Sequence, residues 1–218
     1  MSTPSPEKSN TTERWFRRLF RAKRRGQSFI EAMVAITVIV TSIASALALV
    51  QASITASRVG GQQIVAANLA REGLEVVRSL RDTNWLKSQS FQVGLVDAGG
   101  NKTIRPLLDL ESGAWTPSFA ATSLANPNAS VYLTPSGIFA QADAPPSGST
   151  VTPYSRVVTL QHLCRDNASS VERIVGGSGT CLGTETLVGL AVSSSVRYRG
   201  VSGNYQTLVV EERLYDWR

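Results

Sequence analysis

The stretch from Lys23 to Ser57 reads KRRGQSFIEAMVAITVIVTSIASALALVQASITAS, and it governs the architecture of the chain. The 26 positions from Ala32 to Ser57 contain no charged residue, and most of those up to Ala52 are Ala, Val, Ile or Leu. About 20 apolar residues in a helix are enough to cross the hydrocarbon core of a bilayer. The stretch therefore predicts one membrane-spanning helix over about residues 30–52.

Charge is distributed unevenly along the chain. Residues 1–26 hold eight Lys or Arg and two Glu, a net charge of +6, whereas residues 27–218 hold 14 positive and 14 negative residues and are neutral. Positive charge before a span keeps that flank in the cytoplasm, so we expect everything after the span to lie outside. A neutral body also argues against a nucleic-acid-binding domain, which would carry its basic surface in the folded part.

Two simple interpretations of the apolar run remain open. It could be a cleaved secretory signal peptide, although the small-residue triplet Ala46-Leu47-Ala48 lies inside the run and not at its end. It could also be an uncleaved signal anchor. Neither interpretation explains the carboxylate of Glu31 at the start of the run, because charge within a membrane segment is costly and usually has a function.

The segment from Lys23 to Ile36 resembles the amino-terminal signal of type IV pilins and type II secretion pseudopilins. Its basic residues end in Gly26, an apolar run follows, and Glu31 is the fifth residue counted from Gln27. The resemblance implies a bacterial protein whose leader, residues 1–26, is removed by a prepilin peptidase between Gly26 and Gln27. It also implies N-methylation at Gln27, although the family usually has Phe or Met at this position.

The position of Glu31 also has a physical interpretation. Cleavage after Gly26 would create an α-amine at Gln27, and in a bundle of helices that amine could pair with Glu31 of a neighbouring subunit. Pairing offsets the cost of a buried carboxylate and rewards one stagger of the helices. The alternative is that Glu31 marks the interfacial end of the span and reaches water.

The residues after the span predict a longer helix and then a β domain. Apolar residues recur mostly every three or four positions from Ala66 to Leu80, which indicates that an amphipathic continuation extends the helix over residues 27–84. Gly60 and Gly61 are its expected point of weakness. The remainder, residues 85–218, favours an extracytoplasmic β-rich domain with a loop-rich region at 112–153. The candidate strands are Phe91–Val96, Val131–Leu133, Tyr154–Leu163, Val171–Val175, Thr186–Tyr198 and Tyr205–Tyr215.

We therefore expect an α+β fold of the pilin type. A long N-terminal helix, transmembrane in its first half and amphipathic in its second, packs on a mainly antiparallel β-sheet. The glycine-bearing stretch 199–204 suits a hairpin between the last two strands.

The candidate sites outside the helix are few. Cys164 and Cys181 are the two cysteines, and a disulfide is the default for such a pair outside the cytoplasm, with two unpaired thiols as the alternative. The sequence shows no nucleotide-binding loop, HExxH motif or EF-hand, and His162 alternates with apolar residues like an ordinary strand residue. We expect no enzymatic activity, no metal site and no cofactor.

The resemblance predicts a structural role as a minor, type IV pilin-like subunit. Its expected partners are other pilin subunits, the prepilin peptidase and an inner-membrane assembly platform, and nucleic acid is not expected. The subunit would be anchored in the cytoplasmic membrane before assembly and lie in a surface pilus or a pseudopilus afterwards. One alternative is a type II secretion pseudopilin, and another is a membrane-tethered adhesin or DNA-uptake binding module.

Overall fold

A computed structural model describes residues 24–96, 102–120, 123–176, 179–200 and 203–216, and for residues 24–27 it describes the helix without the side chains. Most of the predicted leader, residues 1–23, lies outside this description. The chain divides into two compact units, Met1–Ala56 and Ser57–Arg218.

A long α-helix, α1, occupies Arg24–Leu86. It contains the whole predicted helix of residues 27–84 and ends two residues later, where Ser88 adopts a left-handed backbone with a φ of 55°. Gly60 and Gly61 do not interrupt it. We call residues 28–56 the apolar half of α1 and residues 57–86 its packed half.

Eight strands follow among the described residues, and every pair that they form is antiparallel. The strands are β1 (Lys102–Leu108), β2 (Trp115–Ser118), β3 (Ser130–Leu133), β4 (Phe139–Ala140), β5 (Thr150–Asp166), β6 (Glu172–Val175), β7 (Glu185–Arg199) and β8 (Tyr205–Tyr215). A short 3-10 helix, Pro127–Ala129, precedes β3. The predicted α+β class, with a long helix packed on an antiparallel sheet, is confirmed.

The 17-residue strand β5 is the centre of the sheet. Thr159 pairs with Thr103 of β1 and with Ser193 of β7, so these strands lie on opposite edges of β5. The β1 edge also holds β3 near the start of β5 and β6 near its end. On the other side, β8 pairs with β7 through all of its 11 residues.

The packed half of α1 lies against one face of this sheet and forms two apolar clusters with it. Residues two apart on a strand share a face, and alternate residues of β5, β7 and β8 face the helix. The larger cluster combines Leu74, Val77 and Trp85 of α1 with Ile104, Val158, Leu160, Leu190, Val192 and Leu214 of the sheet. The smaller combines Ala66, Leu69 and Ala70 with Val131, Tyr154, Val196 and Tyr198.

The predicted strand at Phe91–Val96 is wrong, because residues 91–95 form turns. The side-chain amide of Asn84 donates to the carbonyl of Phe91 at 3.3 Å and to that of Val93 at 2.8 Å. Gly94 adopts a φ of 75°, a left-handed conformation that a strand does not contain. Phe91 and Val96 are nevertheless buried, so the apolar residues enter the core from a loop.

Three strands were missed by the sequence pattern. β1 carries Arg105 and Pro106 in its middle, and this pair hides the alternation of its apolar residues. β2 and β4 have only four and two residues. The predicted loop-rich region 112–153 therefore contains β2, the 3-10 helix, β3, β4 and the start of β5 between its turns. The predicted hairpin of the last two strands is present as β7 and β8.

Candidate functional site

The predicted processing and assembly residues lie in the first two turns of α1. Gly26 and Gln27 are helical, and their side chains are outside the description. Glu31 is exposed and makes no hydrogen bond or ion pair with any residue that the structure describes. Its neighbours Phe29 and Ile30 are 71% and 66% exposed. Within the part of the chain that the structure describes, Glu31 is thus a carboxylate without a partner at the head of an apolar surface.

The apolar half of α1 is exposed on all sides. Every residue from Ser28 to Arg58 is exposed, including large side chains such as Ile36, Val40 and Leu47. Its most apolar window of 18 residues has a mean hydropathy of 2.4. A helix that is apolar all round is suited to a membrane or to the interior of a larger assembly. Among the described residues, Ser28–Leu86 is the one segment long and apolar enough to cross a membrane.

Four hydroxyl groups of the apolar half bond to carbonyls of the same helix. Thr37 donates to the carbonyl of Met33 at 2.8 Å, and Thr41 donates to that of Thr37 at 2.9 Å. Ser42 and Ser45 donate to Val38 and Thr41 at 2.6 and 2.8 Å. Unpaired polar groups are costly in an apolar solvent, and bonds to the preceding turn remove that cost. The helix can therefore carry these four residues into lipid.

The packed half meets the sheet most closely at Gly73. A Cβ atom at this position would lie 2.6 Å from Oγ of Ser194 and 3.0 Å from Cγ2 of Val158. Ser194 is fully buried, and its Oγ bonds to no described residue. Glycine at position 73 therefore lets the helix approach β5 and β7 at a distance that a larger residue would prevent.

A fully buried arginine connects the packed half to β5. Nη1 of Arg156 donates to the carbonyl of Leu69 at 3.0 Å and to Oε1 of Glu72 at 2.8 Å. Its Nε donates to Oε1 of Gln141 at 2.9 Å. Gln141 in turn donates to the carbonyls of Ala129 and Arg156 at 2.8 and 2.9 Å. This network joins the helix, the central strand and the loop after β4.

Electrostatics within the network favour keeping its members together. Burial lowers the pKa of the Arg156 guanidinium, and the carboxylate of Glu72 opposes that shift. A buried charge that loses its partner is strongly destabilising. The Arg156–Glu72 pair therefore fixes the helix on the sheet.

Cys164 of β5 and Cys181 are joined in a disulfide, with their Cα atoms 5.6 Å apart. The ligand atoms of both cysteines and of Glu185 lie within 4.8 Å of one another, which is a spacing suited to a metal ion. The disulfide occupies both sulfurs, and Glu185 accepts hydrogen bonds from Arg173 at 2.9 and 2.6 Å. In this oxidised state the group has no free ligand to offer a metal.

Sequence reasoning missed the residues that hold the helix on the sheet, which are Glu72, Gly73, Gln141 and Arg156. One signal was available for Arg156, because it has the same parity along β5 as the core residues Val158 and Leu160. A charged residue at a core-facing position requires a partner. The sequence does not identify that partner, since Glu72 and Gln141 are remote in the chain.

No protein-family model, no curated protein and no solved structure matches this chain.

Proposed function

We propose that this protein is a structural subunit of a helical filament, of the type IV pilin-like class, made as a membrane-anchored precursor. The observation that carries the proposal is the sequence Gly26-Gln27 with Glu31 at the head of α1. The first half of that helix exposes only uncharged residues from Ala32 to Ser57, and its second half contributes side chains to the core of a β domain. Such a subunit can give one half to a shared apolar interior and the other to a surface domain.

The exposed apolar half supports assembly from a membrane. In a bilayer, lipid covers side chains such as Ile36 and Leu47, and in a bundle the helices of other subunits would cover them. Both surroundings are apolar, so transfer from one to the other keeps these side chains away from water. The gain that selects the bundle must then come from packing and from polar pairing.

Glu31 is the group suited to that pairing. It has no partner among the described residues of its own chain. Cleavage after Gly26 would supply a positive α-amine at Gln27 on each subunit. A pair between Glu31 of one subunit and the Gln27 amine of the next would be made only in the assembled filament, and it would fix the axial stagger.

Processing is tested by the start of the mature chain. We expect protein extracted from membranes or filaments to begin at Gln27 and to carry the mass of one added methyl group there. Gly26→Val should leave the full-length precursor in the membrane, because a β-branched side chain hinders entry of the backbone into a peptidase site. A mature start at Leu49 or beyond would indicate an ordinary signal peptide and would overturn the proposal.

Assembly is tested at Glu31. We expect Glu31→Ala, and to a smaller degree Glu31→Gln, to reduce recovery in sheared filaments while membrane insertion is retained or improved. Loss of a carboxylate favours insertion by up to about 3 kcal/mol, and less at this peripheral depth. Loss of the partner of a buried amine costs several kcal/mol, about 3–5 in fully buried pairs.

The matched control is Glu75→Ala in the same helix. The side chain of Glu75 is 62% exposed and lies in the packed half, so its removal should leave filament recovery unchanged. Equal recovery of the Glu31→Ala variant and the wild-type chain in the filament fraction would contradict the role of Glu31 in assembly. A membrane-tethered binding module would then be the better explanation of the fold.

A further inference from the structure

Strand β8 forms an open edge of the sheet. It spans Tyr205–Tyr215, and β7 is the one strand with which it pairs among the described residues. The β7–β8 register is continuous from Gly189↔Tyr215 to Arg199↔Tyr205, without a bulge. The far edge of β8 is therefore regular over its full length.

The hydrogen bonds of β7 and β8 identify the groups that point outward. The N–H of Asp216 donates to the carbonyl of Val188 at 2.8 Å, and the N–H of Gly200 donates to that of Asn204 at 2.8 Å. In an antiparallel pair, residues bonded to the partner alternate with residues that point away. Even-numbered residues of β8 are therefore bonded to β7. The outward N–H and C=O groups belong to Tyr205, Thr207, Val209, Glu211, Arg213 and Tyr215.

This edge lacks most of the features that prevent another strand from pairing with an exposed edge of a sheet. Its 11 residues, YQTLVVEERLY, contain no Pro and no Lys. Val209 and Tyr205 are 50% and 63% exposed on the face away from α1. Long, flat edges with exposed apolar residues are templates for pairing with another strand.

We propose that the β8 edge binds the β8 edge of a second copy of this chain, in an antiparallel pair centred on Glu212. In this register Glu211 of each copy lies opposite Arg213 of the other, and Val209 lies opposite Tyr215. Glu211 makes no ion pair with a described residue of its own chain. Nη1 of Arg213 lies 3.2 Å from Oε2 of Glu172, which is longer than the 2.8 Å between Arg165 and the same carboxylate. Opposite charges placed directly across two strands attract, and like charges repel.

The side chains also disfavour two other registers. A pair centred on Glu211 would bring two Glu211 carboxylates together. A pair centred on Val210 would place Val209 opposite Glu211 and Leu208 opposite Glu212. In the register centred on Glu212, the two Glu212 side chains meet at the axis, but each is already paired with Arg78 of its own helix.

This contact is independent of the proposed filament. The pair is isologous, since the same edge serves on both copies, and it closes at two subunits. A filament grows instead through contacts that do not close. Failure of one proposal therefore leaves the other intact.

Cross-linking of the full chain in membranes tests the register. The natural cysteines are joined to each other, so one introduced cysteine is the single free thiol. We expect Glu212→Cys to form a disulfide-linked dimer under mild oxidation, since it faces its own copy at a closely spaced, non-hydrogen-bonded position. The matched control is Val210→Cys, whose two copies would lie about 13 Å apart and should not cross-link.

Two further changes in the Glu212→Cys background separate strand pairing from chance collision. Val209→Pro removes an outward N–H without touching the bonds to β7, so the fold should remain by circular dichroism while cross-linking is lost. Glu211→Arg and Arg213→Glu should each lower the yield about fivefold, and the double variant should restore it.

Three results would overturn the proposal. They are the absence of a Glu212→Cys dimer, equal cross-linking of Val210→Cys, and a yield that Val209→Pro does not change. A disulfide from the introduced thiol of the Glu212→Cys variant to an unrelated protein, in place of the dimer, would assign the edge to a foreign strand and also reject the second copy.

Discussion

The apolar and packed halves of α1 both present apolar side chains to their surroundings, but they differ in how those side chains are arranged. The apolar half carries large residues on all sides, such as Ile43 and Leu47, which are 55% and 59% exposed. The packed half places small residues, such as Ala66, Ala70 and Gly73, against the sheet beside larger apolar ones. A helix that selects its own partner needs close, shaped contacts, whereas a helix immersed in an apolar solvent needs only apolar area. One continuous helix can therefore serve two surroundings.

The two halves also differ in the surroundings of their glutamate side chains. Glu31 in the apolar half is exposed and has no partner among the described residues. Glu72 in the packed half accepts a hydrogen bond from the fully buried Arg156. The first residue is suited to act between molecules and the second within one. Each substitution below should therefore change one half and leave the other as it is.

The largest effect on stability is expected from Glu72→Ala. This change leaves the Arg156 guanidinium buried without its charged partner, and we expect the free energy of unfolding to fall by about 3 kcal/mol. The value is at the low end for buried pairs, since the side chain of Glu72 is 36% exposed. Urea unfolding of the detergent-solubilised chain measures it.

Two glutamates of the same helix serve as controls. Glu75→Ala removes an exposed pair with Arg78 and should cost less than about 1 kcal/mol. Glu31→Ala should leave the unfolding of the β domain unchanged. A loss for Glu72→Ala no larger than that for Glu75→Ala would show that the buried arginine does not depend on the helix.

The second largest effect concerns two glycines of α1, at which substitution by alanine should change the stability in opposite directions. Gly73→Ala should destabilise by about 1–2 kcal/mol, since overpacking exceeds the gain in helix propensity. Gly61→Ala should stabilise by about 0.5–1 kcal/mol, because the added Cβ would meet no atom within 4 Å beyond its own chain neighbours and the helix backbone around it. Thermal unfolding of both variants measures the difference.

A second change at the contact makes this prediction sharper. Ser194→Ala removes the oxygen that lies 2.6 Å from the added Cβ and leaves the Ser194 Cβ at 3.5 Å. The double variant Gly73→Ala/Ser194→Ala should recover most of the lost stability. Additive effects of the two changes would place the cost of Gly73→Ala somewhere other than the helix–sheet contact.

The sequence predicts elements well where one periodic pattern runs without interruption. β8 has the predicted bounds, and β7 extends the predicted Thr186–Tyr198 by one residue at each end. The pattern fails where backbone chemistry competes with it. The apolar residues at 91–96 are held in turns by Asn84 and Gly94, and β1 is hidden by Arg105 and Pro106.

The candidate site residues also differ in whether the sequence alone can point to them. Glu31 is a candidate because a carboxylate at the head of an apolar run is a local irregularity of the sequence, and its role stays a prediction. The partners of Arg156 come from α1 and from the loop after β4, so the topology alone brings them together. The close approach of Gly73 to Ser194 depends on how the helix lies across two strands, which no local pattern contains.

The smallest effect is a response to acid confined to the packed unit. The apolar half has no titratable residue from Ala32 to Ala56, whereas the sheet carries several carboxylates with cationic partners. The hydrogen bond from Arg165 holds the pKa of Glu172 below its usual value of 4.5, with Tyr215 and Arg213 contributing. A hydrogen bond from Arg173 likewise lowers the pKa of Glu185.

The sign of the pH dependence follows from these lowered values. In the unfolded chain these carboxyl groups take up protons near pH 4.5, and in the folded chain they do so only at lower pH. Their contribution to stability is therefore complete above that range and is lost as the pH falls through the folded pKa values. We expect the free energy of unfolding to be level near neutrality and to decline below pH 4.5.

Glu172→Gln isolates one group in this response. The variant should be less stable than the wild-type chain at neutral pH, and the two curves should approach each other as the pH falls and the carboxyl becomes protonated in both states. Glu111→Gln is the matched control, since the Glu111 side chain bonds to no described residue, and its curve should follow that of the unchanged chain. The measurement is urea unfolding between pH 2 and 7, with the helical signal of the apolar half followed in detergent.

If the Glu172→Gln and wild-type curves remained parallel at all pH values, the ion pairs around Glu172 would not contribute to folding. If the apolar half lost its helical signal together with the sheet, the two halves of α1 would not be independent in their stability, and the comparison between them would fail.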